Sequence, residues 1–470
     1  MKRVLLSFSF LLCSLLAFAG NQAKYVFYFI GDGMGTTQVN GTEAYLAAVE
    51  GRIGTTPLCF ASFPYSAFIT TQSGSNGVTD SAAAGTALSS GIKTYNGALG
   101  VNLDTLSVNS LAYWARQAGA AVGVGTTVTI DHATPSAFYA HVPQRSMTGR
   151  IDEQLMTSCL DFIAGSDVAK PDAKTYQKME GAGFTIIRDV ANYKKVRHQA
   201  RRLMLLQTED GQRRCNNSVP YAIDRHPGDL TLANICRAAI DYLGSYERKK
   251  KDDRRQGFFM MLEGGKIDYA GHANDAGTCF REIVDMDEAV KVAYDFYLKH
   301  PDETLIVVTA DHETGGLVLG RGHYTQHLQY LQYQKMSAEN YTKHIGKLRT
   351  ELGNDFTWER VKSDLQDNWG FGVQVPITER QEKRLRTAFD GILSGMAEDS
   401  KDLYAVQNAL ATTAKQVMAE QAEVGWQSGS HSNSYVPCFA IGAGAEMFHG
   451  RMDNTEIPRT IAKAAGWNLN

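Results

Sequence analysis

Short apolar runs with the length of buried strands alternate with segments of helical periodicity along most of this chain. The clearest apolar runs are residues 25–30, 120–126, 258–262, 305–309 and 437–441. Helical periodicity marks residues 107–117, 230–246 and 281–300. Strands covered on both faces have continuous apolar sequences, and strands that alternate with helices form parallel sheets. The sequence therefore predicts an α/β fold with three layers, α/β/α, around a mostly parallel central sheet.

The charged residues are nearly balanced, with 47 Lys and Arg against 50 Asp and Glu, and the formal net charge is −3. A nucleic-acid binder needs a concentrated positive surface that neutralises phosphates. No dense basic block dominates this chain, so we expect no nucleic-acid partner. With 470 residues, 43% of them hydrophobic, the chain is also too long and too apolar for a disordered protein or a disulfide-stapled miniprotein.

The N-terminus has the three parts of a secretory signal. Lys2 and Arg3 precede an almost uninterrupted apolar stretch that ends in the sequence AFA at residues 17–19. This pattern predicts a cleaved signal peptide at 1–19 and export to the periplasm or the extracellular space. A transmembrane anchor is the alternative, but roughly 16 apolar residues are short for a membrane span. We therefore expect no transmembrane anchor.

Six cysteines follow the predicted cleavage point, and no two of them are spaced as C-x-x-C. A zinc ribbon or a thioredoxin-type redox centre is therefore poorly supported. An even number of cysteines in an exported protein permits disulfides, but the sequence does not choose their pairing.

The composition changes between residues 322 and 425, where Gln, Tyr, Lys, Glu and Arg dominate. Residues 379–396 and 401–420 have helical periodicity, and the second of these segments carries one apolar stripe. We interpret 322–425 as a helical insertion packed onto a single domain that spans 20–470. A coiled coil is a weaker alternative, because no heptad pattern is sustained for long.

Polar residues with metal-ligand chemistry follow four of the predicted strands. Asp32 lies between two glycines after the first run, His132 follows the second, and Glu263 ends the third. Asp311 and His312 leave the fourth run directly. Ligands of open α/β sheets bind beyond the carboxyl ends of the strands, and carboxylates with imidazoles suit zinc. These positions are therefore candidate ligands, although Asp32 also fits a simple turn residue.

Two further patterns carry chemistry. Asp268 and His272 are four residues apart, so on a helix they would project from one face and could hold one ion, although a solvated helix pair is the commoner explanation of such spacing. Ser81 precedes a run of small residues at a predicted helix start. Either Asp80 or Ser81 could cap that helix, or Ser81 could be a nucleophile where the helix N-terminus favours bound phosphate. No G-x-S-x-G elbow indicates a serine esterase.

Together these segments resemble one known family. In order, they read IGDGMG at 30–35, VTDSAA at 78–83, KTYNGALG at 93–100, HATP at 132–135, EGGKID at 263–268, TADH at 309–312 and SH at 430–431. This is the order of motifs in the alkaline phosphatases, and the resemblance runs from Tyr25 to Trp467, interrupted by the insertion. It implies that 20–470 is an alkaline-phosphatase-like catalytic domain and that the protein is a homodimer.

The resemblance also implies roles for single residues. Ser81 matches the nucleophile that becomes a phosphoserine, and Arg145 matches the arginine that forks onto two phosphate oxygens. His132 and Tyr269 match positions that touch phosphate or magnesium through water. Animal members also carry His at the first of these positions, whereas Tyr at the second is unusual. The metal preference of the third site is therefore open.

Three metal ions are implied, two zinc and one magnesium. The zinc that holds the leaving-group oxygen would be bound by Asp268, His272 and His431. The zinc that lowers the pKa of the nucleophile would be bound by Asp32, Asp311 and His312. The magnesium would be bound by Asp32, Thr134 and Glu263. Two metals about 4 Å apart clamp the entering and leaving oxygens of an in-line displacement.

The implied activity is the hydrolysis of phosphate monoesters to an alcohol and inorganic phosphate. The nearest alternative is a phosphodiesterase or nucleotide pyrophosphatase of the same superfamily. A catalytically silent phosphate or metal binder is a further alternative, which the presence of Ser81 together with every implied ligand argues against.

Overall fold

The computed structural model describes residues 22–215, 218–245, 256–396, 399–401 and 403–469. The predicted signal peptide at 1–19 lies outside the described residues. Within them, no helix is long and apolar enough to cross a membrane. All six cysteines that follow the predicted signal are described and have free thiols.

A ten-stranded sheet forms the centre of the fold. From one edge to the other its strands are β16 (Gly450–Asp453), β2 (Tyr65–Thr70), β15 (Val436–Gly442), β8 (Thr304–Ala310), β1 (Tyr25–Gly31), β7 (Phe258–Glu263), β3 (Ala121–Thr126), β4 (Phe162–Gly165), β6 (Arg202–Leu206) and β5 (Phe184–Ile187). Every neighbouring pair is parallel except the two that involve β15. The predicted mostly parallel sheet is confirmed, and all five predicted strands belong to it.

Helices outside residues 322–425 cover both faces of this sheet. In chain order, the α-helices of the described residues are α1 (Thr36–Val49), α2 (Ser81–Ser90), α3 (Leu111–Gln117), α4 (Ala133–Ser136), α5 (Thr148–Thr157), α6 (Thr175–Gly181), α7 (Val190–Val196), α8 (Glu209–Arg214), α9 (Leu232–Leu243), α10 (Lys266–His272), α11 (Ala276–Tyr297), α12 (Ala338–Leu352), α13 (Trp358–Trp369), α14 (Glu379–Ser394), α15 (Ala409–Gln421) and α16 (Glu456–Ala464). Successive side chains of β1 point to opposite layers. The Phe27 ring packs 5.5 Å from that of Phe296 on α11, whereas the Tyr28 hydroxyl donates to the carbonyl of Leu88 in α2. The predicted three-layer α/β/α fold is confirmed.

The segment predicted as a helical insertion, 322–425, contains α12 to α15 and the two-residue strands β11 (Ser400–Lys401) and β12 (Val406–Gln407). Its helices surround a second apolar cluster in which Trp369 and Tyr341 are fully buried. Short strands join it to the sheet region, because β10 (Leu317–Leu319) pairs with β13 (Val424–Trp426). The division into one domain with an insertion stays a prediction.

Some predicted helix boundaries are wrong. The segment 401–420 does not begin as a helix, because β11 and β12 pair as an antiparallel hairpin and α15 starts only at Ala409. The side chain of Asn408 caps α15 by accepting the N–H of Ala411 at 2.8 Å. The predicted helix at 107–117 likewise starts at Leu111, after its cap Ser110.

Candidate active site

The carboxyl ends of three adjacent strands place three acidic side chains side by side. In the parallel ladders of β1, Ile30 pairs with Glu263 at the end of β7, and Gly31 pairs with Ala310 at the end of β8. Asp32 and Asp311 follow these strands by one residue each. All three carboxylates are fully or almost fully buried. The predicted meeting of strand ends therefore occurs at the centre of the sheet.

The turn after β1 requires a glycine. Gly33 has φ of 75°, and a Cβ atom built on it would lie 2.8 Å from Oγ1 of Thr314 and 2.9 Å from Cα of Asp268. Its N–H donates to Oδ1 of Asp311 at 3.1 Å. The left-handed backbone thus lets the chain turn within a crowded space and fixes one carboxylate.

Helix α10 and a short ladder supply the remaining ligand candidates. Asp268 and His272 lie one turn apart on α10, with Oδ2 and Nε2 3.3 Å from each other, as the spacing predicts. His431 begins β14 (His431–Ser432), which pairs with β9 (Glu313–Thr314) so that His431 lies opposite Thr314. This ladder joins two segments that are far apart in sequence.

The side chains gather into three groups in which the ligand atoms all lie within 4.8 Å of one another. The first group contains Asp268, His272 and His431. The second group contains Asp32, Asp311 and His312. The third group contains Asp32, His132 and Glu263. The first two groups have the membership expected for the zinc ions, and Asp32 joins the second group to the third.

The third group contains two carboxylates of the expected magnesium set, those of Asp32 and Glu263. His132 joins them, with Nδ1 3.8 Å from Oε1 of Glu263. Thr134, which the family resemblance implies as a further ligand, lies two residues after His132 in α4 and is fully buried. The strand exit after β3 therefore brings an imidazole to this group.

Backbone carbonyls fix the imidazoles of the first group. Nδ1 of His272 lies 2.6 Å from the carbonyl oxygen of Gly429, and Nδ1 of His431 lies 2.9 Å from that of Thr79. Because a carbonyl only accepts, each Nδ1 carries the proton and each Nε2 presents a lone pair. These two Nε2 atoms are 3.1 Å apart. Two lone pairs at that distance, beside a carboxylate, repel one another unless a cation lies between them.

Thr314 links the first group to the second. Its hydroxyl donates to Oδ1 of Asp268 and lies 3.2 Å from Nδ1 of His312. Since the hydroxyl proton goes to the carboxylate, the oxygen accepts from the imidazole, and Nε2 of His312 faces the site. Thr314 was not among the predicted site residues, although it lies in the same segment as Asp311 and His312.

Several buried polar atoms of the site form no hydrogen bond with the described part of the chain. They are both carboxylate oxygens of Asp32, Oδ2 of Asp268, Oδ2 of Asp311, Oε1 of Glu263, Nδ1 of His132 and Oγ1 of Thr134. A buried polar atom without a partner costs about 1–3 kcal/mol, and more when it is charged. Such atoms at one place are the sign of bound cations, and the donor set of carboxylates and imidazoles fits them.

The acidic side chains perturb one another. Burial, followed by the charge of Asp268, raises the pKa of Asp311 to about 8, and burial with the charge of Asp311 raises the pKa of Asp32. Burial alone would also raise the pKa of Asp268, but the adjacent His272 and the other nearby imidazoles lower it. Without cations, the site therefore favours protonation of some carboxylates.

Ser81 is the first residue of α2, and its side chain is fully buried. Asp80 is the N-cap, because its Oδ1 accepts the N–H of Ala83 at 3.0 Å. This leaves the hydroxyl of Ser81 free of the capping role, and Oγ lies 3.2 Å from Nε2 of His312. A potential nucleophile therefore faces the second group from a helix N-terminus.

Arg145 lies at the mouth of the site with its side chain 29% exposed. One guanidinium nitrogen is 3.4 Å from Oδ2 of Asp80, and another is 3.1 Å from Nε2 of His132. From the sequence, Asp80 was expected only as a possible helix cap. In the structure its carboxylate both caps α2 and contacts Arg145, which joins the N-terminus of α2 to the Arg145 side chain.

An aromatic pair lies beside the first and third groups. Tyr269, on α10, has its ring 6.0 Å from that of His132. Tyr404 stacks on Tyr269 with centroids 3.7 Å apart and planes inclined by 13°. The sequence did not indicate Tyr404 as a site residue, because it lies in a segment predicted to be a helix of the insertion and no local motif marks it.

Comparison with known proteins agrees with this geometry. The alkaline phosphatase family model matches residues 23–170 and 174–467. Alkaline phosphatase 3 of Bacillus subtilis (strain 168) is 30% identical over 468 residues, which cover 96% of this chain and 91% of that protein.

Two solved structures extend the comparison. The cold-active alkaline phosphatase of the psychrophile Shewanella sp. superposes with a TM-score of 0.78 at 25% identity, covering 94% of this chain and 99% of that one. A mutant alkaline phosphatase of the Antarctic bacterium TAB5, with glutamate in place of a histidine and magnesium in its M3 site, has a TM-score of 0.64 at 26% identity, covering 95% and 99%. The chain described here belongs to the alkaline phosphatase family and is a phosphomonoesterase.

Proposed function

We propose that the enzyme hydrolyses phosphate monoesters in two displacements through a phosphoserine at Ser81. The hydroxyl loses its proton and the oxygen attacks phosphorus, while the ester bond breaks and the alcohol leaves with a proton. Water then attacks the phosphoserine, the bond from Oγ to phosphorus breaks, and Ser81 regains its proton as inorganic phosphate departs. The observation that carries this proposal is the distance of 3.2 Å between Oγ of Ser81 and Nε2 of His312, inside a group of buried acidic ligands.

We infer that the first and second groups hold zinc and that the third holds magnesium. The first two groups combine imidazole with carboxylate, which is a zinc donor set, whereas Asp32, Glu263 and Thr134 offer the third ion the oxygen ligands that magnesium prefers. Bound there, the two zinc ions would supply Lewis-acid stabilisation of the entering and leaving oxygens. The family and the uncompensated carboxylates of Asp32, Asp311 and Glu263 support this assignment. Thr134 remains a proposed oxygen ligand of the third group.

Arg145 is the proposed phosphate clamp. Asp80 and His132 hold its guanidinium beside Ser81, and a planar fork matches two unsubstituted oxygens of a phosphoryl group. His132 and Tyr269 line the same side of the site. A diester has lost one of the free oxygens, so this arrangement favours monoesters. Family membership does not favour the alternative, a phosphodiesterase or nucleotide pyrophosphatase.

The function is tested by comparing kcat/KM of the purified enzyme on an aryl phosphate and on the matched methyl aryl phosphate. We expect the monoester to be the better substrate. A preference for the diester would contradict the proposal.

The variant Arg145→Ala is expected to lose about 30- to 150-fold in kcat/KM for the monoester, because a bidentate charged contact is worth roughly 2–3 kcal/mol. Diester turnover should fall much less. The matched control is Arg150→Ala, which removes an exposed arginine on α5. Equal losses on both substrates, with metal content unchanged, would show that Arg145 is not the clamp.

The variant His132→Asp is expected to tighten magnesium binding at the third group by roughly 10-fold, because a carboxylate suits magnesium better than an imidazole. Solved TAB5 variants with glutamate or aspartate in place of a histidine have magnesium in their M3 site. Calorimetric titration of magnesium into the zinc-loaded enzyme measures the change. His323→Asp, at an exposed histidine, is the control. An unchanged affinity in His132→Asp would contradict the assignment of this group.

We also propose export to the periplasm or the extracellular space and assembly into a homodimer. Export rests on the sequence pattern at 1–19, and the dimer rests on family resemblance. N-terminal sequencing of the mature protein tests the first, and its mass in solution tests the second.

A further inference from the structure

A hairpin of the 322–425 segment reaches the catalytic helix α10. Its strands β11 and β12 pair Ser400 with Gln407. Ala405, directly before β12, and Gln407 in β12 are buried. Both line a small cavity together with Ala270 of α10 and Tyr221. This part of the hairpin therefore lies beside the helix that carries Asp268 and His272.

Tyr404 precedes this part of the hairpin and extends over the site. Its ring stacks on that of Tyr269 at 3.7 Å, lies 5.3 Å from the ring of His272 and 6.2 Å from that of His132. His272 belongs to the first group and His132 to the third. The ring of Tyr404 therefore spans the opening between these groups, on the side where Arg145 contacts His132.

We propose that Tyr404, stacked on Tyr269, is a specificity residue that excludes the second ester substituent of a phosphodiester. This inference rests on the proposed function, in which the phosphoryl group bonds to Ser81 and its free oxygens face Arg145. In a monoester those oxygens carry no substituent and fit beneath the ring. In a diester one of them carries an organic group, which would occupy the space that the ring fills.

The proposed selection acts by exclusion, and it complements the attraction that Arg145 supplies. A binding site discriminates through the difference between two affinities, and a clash with the wrong ligand contributes as directly as a contact with the right one. The stacked rings of Tyr404 and Tyr269 form a wall in which each ring supports the other. A phenylalanine would keep this wall, whereas an alanine would remove it.

The experiment compares the ratio of diester to monoester kcat/KM in the wild type, Tyr404→Ala, Tyr404→Leu and Tyr404→Phe. The substrates are an aryl phosphate and its methyl and phenyl diesters. The matched control is Leu403→Ala, at a neighbouring side chain that is 65% exposed. We expect Tyr404→Ala to raise the ratio by about 10-fold or more, since one extra group in a filled pocket discriminates by roughly 10- to 200-fold. The phenyl diester should gain more than the methyl diester.

Tyr404→Leu should give an intermediate ratio, and Tyr404→Phe should restore the wild-type ratio. Melting temperature and metal content identify any variant whose fold is damaged, and the ratio is then read from Tyr404→Leu. An unchanged ratio in folded Tyr404→Ala or Tyr404→Leu would overturn the proposal, as would an equal change in Leu403→Ala. Failure of the proposed function is distinct, because the wild type would then fail to prefer the monoester.

Discussion

Chelation of the purified enzyme is expected to abolish phosphomonoester turnover, with a loss of at least about 10³-fold, and to lower its melting temperature. Stabilisation of charge by each cation is worth several kcal/mol in the transition state. A ligand at 1,000 times its Kd also stabilises the folded state by about 4 kcal/mol per site. Without cations, the buried carboxylates of Asp32, Asp268, Asp311 and Glu263 face one another in a small volume.

The stability loss should depend on pH. The pKa of Asp311 in the metal-free fold is about 8 and that of Asp32 is raised, whereas an aspartate in the unfolded chain has a pKa of about 3.9. These two carboxyl groups therefore hold more protons in the metal-free fold than in the unfolded chain between about pH 4 and pH 8, and their contribution to the free energy of unfolding falls as the pH rises through this window. Burial lowers the pKa of His312, which opposes this trend below about pH 6.5. Bound cations keep the carboxylates ionised and remove this dependence.

Melting temperatures of the chelated and the zinc-reconstituted enzyme, measured from about pH 5 to about pH 8, check this expectation. The gap between the two forms should widen with pH, and zinc should restore activity. Full monoester turnover by exhaustively chelated protein would refute the metal assignment. A chelated form that melts at the same temperature across the range would show that the acidic groups do not repel one another.

The variant Ser81→Ala is expected to lose roughly 10³- to 10⁶-fold in kcat, as enzymes do when their nucleophile is removed. It should lose the phosphoenzyme while retaining its metals, because the carboxylates and imidazoles of the three groups are unchanged. The helix start should survive, since Asp80 rather than Ser81 provides the cap of α2. Melting temperature should therefore change little.

The phosphoenzyme is measured by quenching the enzyme with labelled substrate at low pH and mapping the labelled peptide. The wild type should carry the label on Ser81, and Ser81→Ala should carry none. Zinc content of both proteins is the control for an intact site. A label on another residue, or wild-type turnover by Ser81→Ala, would contradict the two-displacement mechanism.

The amino-acid sequence predicted the sheet and its layers because burial on both faces leaves a local signature. Strand β1 is apolar at nearly every position, and it is buried at every position. Helix boundaries were less predictable where a short polar segment intervenes. The hairpin of β11 and β12 is held by pairing between Ser400 and Gln407 and by contacts of β12 with α12. Neither interaction appears in the periodicity of residues 401–420.

Local spacing also determined part of the site. Asp268 and His272 share one face of α10 because helical geometry dictates it, and Asp32 and Asp311 meet because parallel strands end at one edge. The grouping of His431 with them came from family resemblance alone. Its physical basis is the two-residue ladder between β14 and β9, which forms only when the chain between them has folded.

Only the tertiary structure decided how the mouth of the site is built. The sequence alone determined the layers of the fold, the nucleophile candidate and most of the acidic ligands, because these depend on local geometry and on strand order. The contacts of Arg145 with Asp80 and His132, and the stack of Tyr404 on Tyr269, join side chains from separate segments. Such contacts depend on how folded elements pack against each other, and that packing leaves no periodic trace in the chain.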